Sequence, residues 1–138
     1  MSRTHKYAGA YLAFTTDLEV PRIADLCSSA AKSAENLQVN IRLEESSPGR
    51  LVYSVRNRFT GGHVEFMTFD VTLTETDGVR HGRTHILRYK MQRSWPGPWK
   101  MMGCNSYKHF VHALETTIKT EGETARTEVV EIVQKASA

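Results

Sequence analysis

The residues able to do acid–base, nucleophilic or metal chemistry are six histidines, two cysteines, a few serines and some paired carboxylates. His109 and His112 are spaced i, i+3, so on one helix both could reach a single ion. His81 and His85 are close in sequence. A stable site wants three or four converging ligands, and no HExxH motif or cysteine–histidine cluster supplies the rest. Met101, Met102 and Cys104 form no copper-type spacing. The expectation is no metal and no cofactor. Cys104 follows Gly103 just ahead of a helical pattern, where a helix dipole could activate it, but His109 is five positions on and not a close helical neighbour. Ser28, Ser29 and Ser106 lack the G-x-S-x-G context. Gly61-Gly62 leads into a strand rather than a helix, so it is no phosphate loop. Glu44-Glu45 flanks a turn and reads as solvated. No motif commits the chain to a reaction, and a binding protein is favoured over an enzyme.

Three constellations suit binding instead. The first is apolar: Tyr53, Phe69, His85, Tyr89, Met91, Tyr107 and Phe110 are expected to face the space between a sheet and the last helix. If side chains left that space open, it would be a pocket for a small apolar ligand, oriented by His85 or Tyr89; if they filled it, it would be core. The second is the segment Trp95 to Met102, whose Trp95, Trp99, Met101 and Met102 are stiffened by two prolines. Exposed, they would form an interaction surface; buried, they would close one end of the fold. The third is basic: Arg42, Arg56, Arg58, Arg88 and Lys90 are expected on the outer face of the sheet, where they could meet phosphates. No aromatics interleave with them, and Glu44, Asp70 and Glu75 dilute the charge, so nucleic acid is not the expected partner.

The elements that position these residues follow from periodicity. Residues 1–6 are polar and expected to fray. Ala10 to Thr16 reads as a strand. A helix opens at Asp17–Pro21, with proline in its first turn, and carries Ile23, Leu26, Cys27, Ala30, Ala34 and Leu37 on one face. Val39, Ile41 and Leu43 alternate with polar residues in a half-buried strand. A turn at Ser46–Gly49 leads to a strand with Leu51, Tyr53, Val55 and Phe59 inward. Gly61-Gly62 suits a two-residue hairpin. The strand from Val64 to Leu73 slips phase, which predicts a bulge near Met67-Thr68. The next strand is expected to turn His85, Leu87, Tyr89 and Met91 inward.

Pro96 and Pro98 end the ladder. Asn105 or Ser106 suits a helix N-cap, Tyr107, Phe110, Val111, Leu114 and Ile118 form a helical stripe, and Gly122 is a stop signal. Ala125, Val129, Ile132, Val133 and Ala136 continue at nearly the same phase, so residues 123–138 read as a helical tail that either extends the helix or packs back.

Composition sets the frame. The chain has 138 residues, 40% hydrophobic and 24% charged, which suits one domain able to bury a core without staples. Cys27 and Cys104 make no disulfide framework. No run reaches the ~18 apolar residues of a membrane helix, and Tyr11 to Phe14 is too short for a signal peptide. A soluble protein of the cytoplasm is expected. A net charge of +3 is mildly basic.

The order β-α-β-β-β-β-α, with a possible C-terminal helix, is α+β: an antiparallel sheet with helices on one face. It resembles the helix-grip folds, which include the TATA-binding-protein-like half domain and the START-type lipid-transfer proteins. Trp99-Lys100-Met101-Met102-Gly103, followed by Ser106-Tyr107-Lys108-His109-Phe110, is similar to the C-terminal signature of small actinobacterial proteins, and that resemblance implies no catalytic residue. The expected function is non-enzymatic: self-association or binding of a protein partner. A carrier of a small apolar ligand and a nucleic-acid binder using the sheet face are the alternatives.

Overall fold

The structure, a computed structural model, describes residues 9–93, Gly97, 99–122 and 126–130. It is α+β: among the described residues, a six-stranded antiparallel sheet, a two-stranded ribbon and two helices. The chain runs β1 (Tyr11–Thr16), α1 (Val20–Ser33), β2 (Val39–Ser47), β3 (Arg50–Asn57), a 3₁₀ turn (Arg58–Thr60), β4 (Glu65–Thr76), β5 (Val79–Tyr89), β6 (Met91–Arg93), β7 (Trp99–Met101), α2 (Cys104–Glu121) and β8 (Arg126–Val130). The main sheet is ordered β2-β3-β4-β5-β1-β8, and β6 and β7 form a separate two-stranded ribbon. Lys90 joins the two: its N–H donates to Phe66 O and its carbonyl accepts from Met102 N.

Alternation builds the core. In β1, Leu12, Phe14 and Thr16 are buried between half-buried neighbours. In β4, Met67, Phe69, Val71 and Leu73 face the helices. α1 buries Ile23, Leu26, Cys27, Ala30 and Ala31, and its small side chains let it lie close beside α2. The ion pair of Arg22 with Glu121 ties the start of α1 to the end of α2. Gly82 has no side chain because the Phe14 ring occupies that space.

Several expectations need correction. Residues 126–130 are a strand, not part of a helical tail; Gly122 ends α2, and the β-branched Thr127, Val129 and Val130 favour extended backbone. The remaining tail residues, 123–125 and 131–138, lie outside the described residues, as do residues 1–6. Leu37 is 85% exposed, because α1 stops at Ser33 before the stripe reaches it. Gly61-Gly62 does not make a two-residue hairpin. The chain after β3 turns through Arg58–Thr60, and both glycines then take positive φ, 69° and 85°. That turn swings Phe59 out to 77% exposure.

The expected bulge near Met67-Thr68 is two irregularities on either side of it. Phe66 is the extra residue between the Val55–Met67 and Arg56–Glu65 pairs. Leu87 is the extra residue on β5 between the Thr68–Arg88 and Phe69–Ile86 pairs. The second one shifts the phase of β5: Thr84 and Ile86 share the inner face with Tyr89, while His85 faces outward.

α2 begins one residue before the expected cap, with Gly103 at the N-cap at φ 82°. A Cβ there would press on Val55 and Met67, so glycine serves both the turn and the close approach.

Candidate functional site

Side chains fill the space between sheet and α2. The Phe69 ring centroid lies 4.8 Å from Phe110, 5.2 Å from Tyr107 and 5.5 Å from Tyr53. All four are buried, with spacings typical of favourable aromatic pairs. Tyr89 and Met91 are half-buried against this cluster. Of the seven pocket residues, these six belong to the core or pack against it. His85 is on the other face.

The buried hydroxyls of Tyr107 and Thr84 are paired, whereas that of Tyr53 is buried without a hydrogen-bond partner. The Tyr107 hydroxyl donates to Ala10 O, 2.8 Å away, and lies 2.7 Å from Thr84 Oγ1. Thr84 Oγ1 also accepts from Leu12 N at 2.9 Å. Burial pushes the Tyr107 phenol up to about 12 and the Cys27 thiol up to about 12, so both stay protonated at neutral pH. Cys27 and Cys104 are free thiols.

The outer sheet face is a lattice of paired charges. Arg56 lies 3.0 Å from Glu44 and 3.7 Å from Glu65. Arg88 makes a two-pronged contact with Glu65, at 2.7 and 3.1 Å. Arg50 donates to Asp70 at 2.8 Å, and His85 Nδ1 is 3.0 Å from the other oxygen of that buried carboxylate. Hydrogen bonds from Ser54 and Arg56 hold the Glu44 carboxyl below its usual range, and Arg88 does the same for Glu65.

Arg42 and Lys90 are exposed. Arg58 does not sit on the sheet face. It lies in the 3₁₀ turn, where Nε donates to Asn36 O at 3.0 Å and the guanidinium stands 3.6 Å from Glu35. Five cations that alternation placed on one surface are therefore divided among carboxylates, solvent and a loop clamp.

Among the described residues, the histidines find separate partners. His81 pairs with Thr15, His85 with Asp70, and His109 with Ser33. His112 stands 4.0 Å from Glu115. Among the described residues, no group of three or more histidine, cysteine or acidic side chains could hold a metal.

A cleft of about 670 Å³ lies at the N-terminal end of α2, between the β6–β7 ribbon, the 3₁₀ turn and the loop before β2. Phe59, Phe66, Met101 and Met102 give it apolar surface, and Lys100 and Lys108 are the charged residues among the described ones that line it. Gln38, Asn57, Gln92 and Asn105 add carboxamides, which both donate and accept.

Of the four residues expected to form an interaction surface, Met102 lines this cleft, half-buried. Met101 also borders it but is a core residue, 5% exposed, because β7 turns it onto the sheet. Trp99 lies in β7 as backbone, and Trp95 falls outside the described residues. Sequence reasoning missed Asn36, Gln38, Phe66 and Gln92; the signal available was Phe59, an aromatic beside two glycines where a strand was running out.

No protein-family model matches the chain, and no curated protein matches it. Among solved structures, the chain is similar to the adenosylmethionine decarboxylase from Aquifex aeolicus VF5, at 9% identity and a TM-score of 0.43 over 96% of this chain and 97% of that one. A likeness at that level carries no inference about activity.

Proposed function

We propose that this chain is a non-enzymatic binding protein whose contact surface is the cleft at the N-terminal end of α2. The observation that carries this reading is the cleft itself. It joins aromatic and thioether surface to lysines and carboxamides, the mix expected of a recognition site. The packed rings between sheet and α2 weigh against a carrier enclosing a small apolar ligand there. The paired arginines of the outer face weigh against a phosphate-binding sheet. Among the described lining residues there is no histidine or carboxylate, which favours recognition over bond chemistry.

The test is amide-resolved NMR titration of the full chain with a panel of small aromatic carboxylates and neutral aromatic fragments. Shift changes clustered at residues 36–38, 57–59 and 100–106 support the reading. Changes confined to the outer sheet face, or none, reject it.

A further inference from the structure

Resting on that reading, we infer that the cleft takes a small organic molecule through a phosphate group held on the first turn of α2. The first observation is the open helix end. α2 starts from Gly103, which offers no side-chain cap, and no acidic residue stands in its first turn. Tyr107 N donates to Gly103 O, the first bond of the helix. The N–H groups of Asn105 and Ser106, just ahead of it, have no acceptor among the described residues. Both residues line the cleft. Free amide donors at the positive end of a helix favour an anion.

The second observation is the Ser106 side chain. Ser106 is only 5% exposed, yet its hydroxyl has no hydrogen-bond partner among the described residues. It is not sealed in, as the Tyr53 hydroxyl is, but opens onto the cleft. Hydroxyls further along the same helix turn back on the backbone: Thr116 donates to His112 O, Thr117 to Ala113 O and Thr120 to Thr116 O. Ser106 makes no such bond. A hydroxyl drawn out of bulk water without a partner costs stability, and a ligand oxygen that accepts from it removes that cost.

The third is the donor set. Two N–H groups and one O–H share a single helical turn. Three donors suit the three free oxygens of a phosphate ester, whereas a carboxylate offers two. The fourth is room. The cleft holds about 670 Å³, a volume that suits a small organic molecule. Phe66 and Met102 line it, so the organic part of the ester has apolar surface to cover. Lys100, on β7, adds a cation to the lining.

The experiment is amide-resolved NMR titration of the full chain with phenyl phosphate, inorganic phosphate, benzoate and phenol. Ser106→Ala and Asn105→Asp variants run in parallel with thermal melts. Phenyl phosphate should move the Asn105 and Ser106 amide protons to lower field and bind more tightly than the other three probes. Both variants should weaken it at least about tenfold. Neither should lower the melting temperature: Ser106→Ala removes a hydroxyl with no bond to lose, and Asn105→Asp sets a carboxylate where the helix dipole favours one. Lost recognition is thereby separated from lost structure. A lower melting temperature in Ser106→Ala would mean that its hydroxyl is already paired, and would overturn the inference. So would variants that bind phenyl phosphate unchanged, or benzoate, phenol or inorganic phosphate binding as tightly. If those probes still shift the cleft amides, the broader binding reading stands. If no probe shifts them, both fall.

Discussion

The Tyr107 hydroxyl and Thr84 Oγ1 lie 2.7 Å apart in the buried centre of the protein, and their hydrogens are ordered. The phenol donates to Ala10 O and Thr84 accepts from Leu12 N, so the Thr84 hydroxyl donates to Tyr107. A single relay therefore fastens α2 to β5 and to the start of β1.

Replacing Tyr107 by Phe should cost about 1–3 kcal/mol, because it keeps the ring but strands the Ala10 carbonyl and the Thr84 hydroxyl. Thr84→Val should cost a similar amount by orphaning Leu12 N–H. Denaturant unfolding of both singles and the double tests the relay: losses that simply add would show the two groups to be independent.

Gly82→Ala should destabilise by roughly 1–3 kcal/mol, since its Cβ would overlap the Phe14 ring in a packed core. Trimming that ring with Phe14→Leu in the same chain should return part of the loss. A double variant no better than the sum of its singles would mean the clash is absorbed elsewhere.

Stability should fall in acid. Glu65 and Glu44 have folded-state values below their ordinary 4.5, so their contribution is complete above that value. It is lost as pH drops through the lower folded-state value. Melting temperature followed from pH 6 downward should decline below about 4.5, and Glu65→Gln should flatten the curve. A decline of equal slope in that variant would assign the acid sensitivity to other groups.

Met101→Ala should cost about 2–5 kcal/mol, the range for truncating a buried core side chain, whereas Leu37→Ser should stay within about 0.5 kcal/mol. Thermal melts of the two separate core from rim. A large loss at Leu37 would place it inside the packing.

Truncation after Gly122 removes β8 and bares the edge of β1. We expect a lower melting temperature and aggregation in size-exclusion chromatography, because an unpaired edge recruits other chains. A monodisperse truncation of unchanged stability would reduce β8 to an ornament.

Much of the fold was legible because period-2 alternation and the α1 and α2 stripes are strong signals. Tyr53, Phe69, Tyr107 and Phe110 fell on the core side for that reason. Legibility failed where one residue changes phase. The extra Leu87 turns His85 outward, and alternation counted from Tyr89 cannot detect an insertion. It failed again at Val129, where a spacing consistent with helix was overridden by β-branched residues beside an open strand. The cleft was least legible, since it is assembled from the 36–38 loop, the 58–60 turn and the start of α2, segments with no common periodicity. The arginines were placed on a face correctly in part, but a one-dimensional pattern does not reveal which carboxylate each will meet across a ladder.

The pairing of β1 with β8 sets Tyr11 opposite Val130, two residues nearly the whole described chain apart. During vectorial synthesis β1 emerges early with both flanks open; β5 covers one and β8, made much later, the other. The nascent chain thus carries an unpaired strand edge, a template for pairing with other chains, for most of its translation. The same adjacency allows the ring to be closed by a short linker between those strands and cut open at the Asp77-Gly78 turn, giving a permuted order in which β1 and β8 are made together.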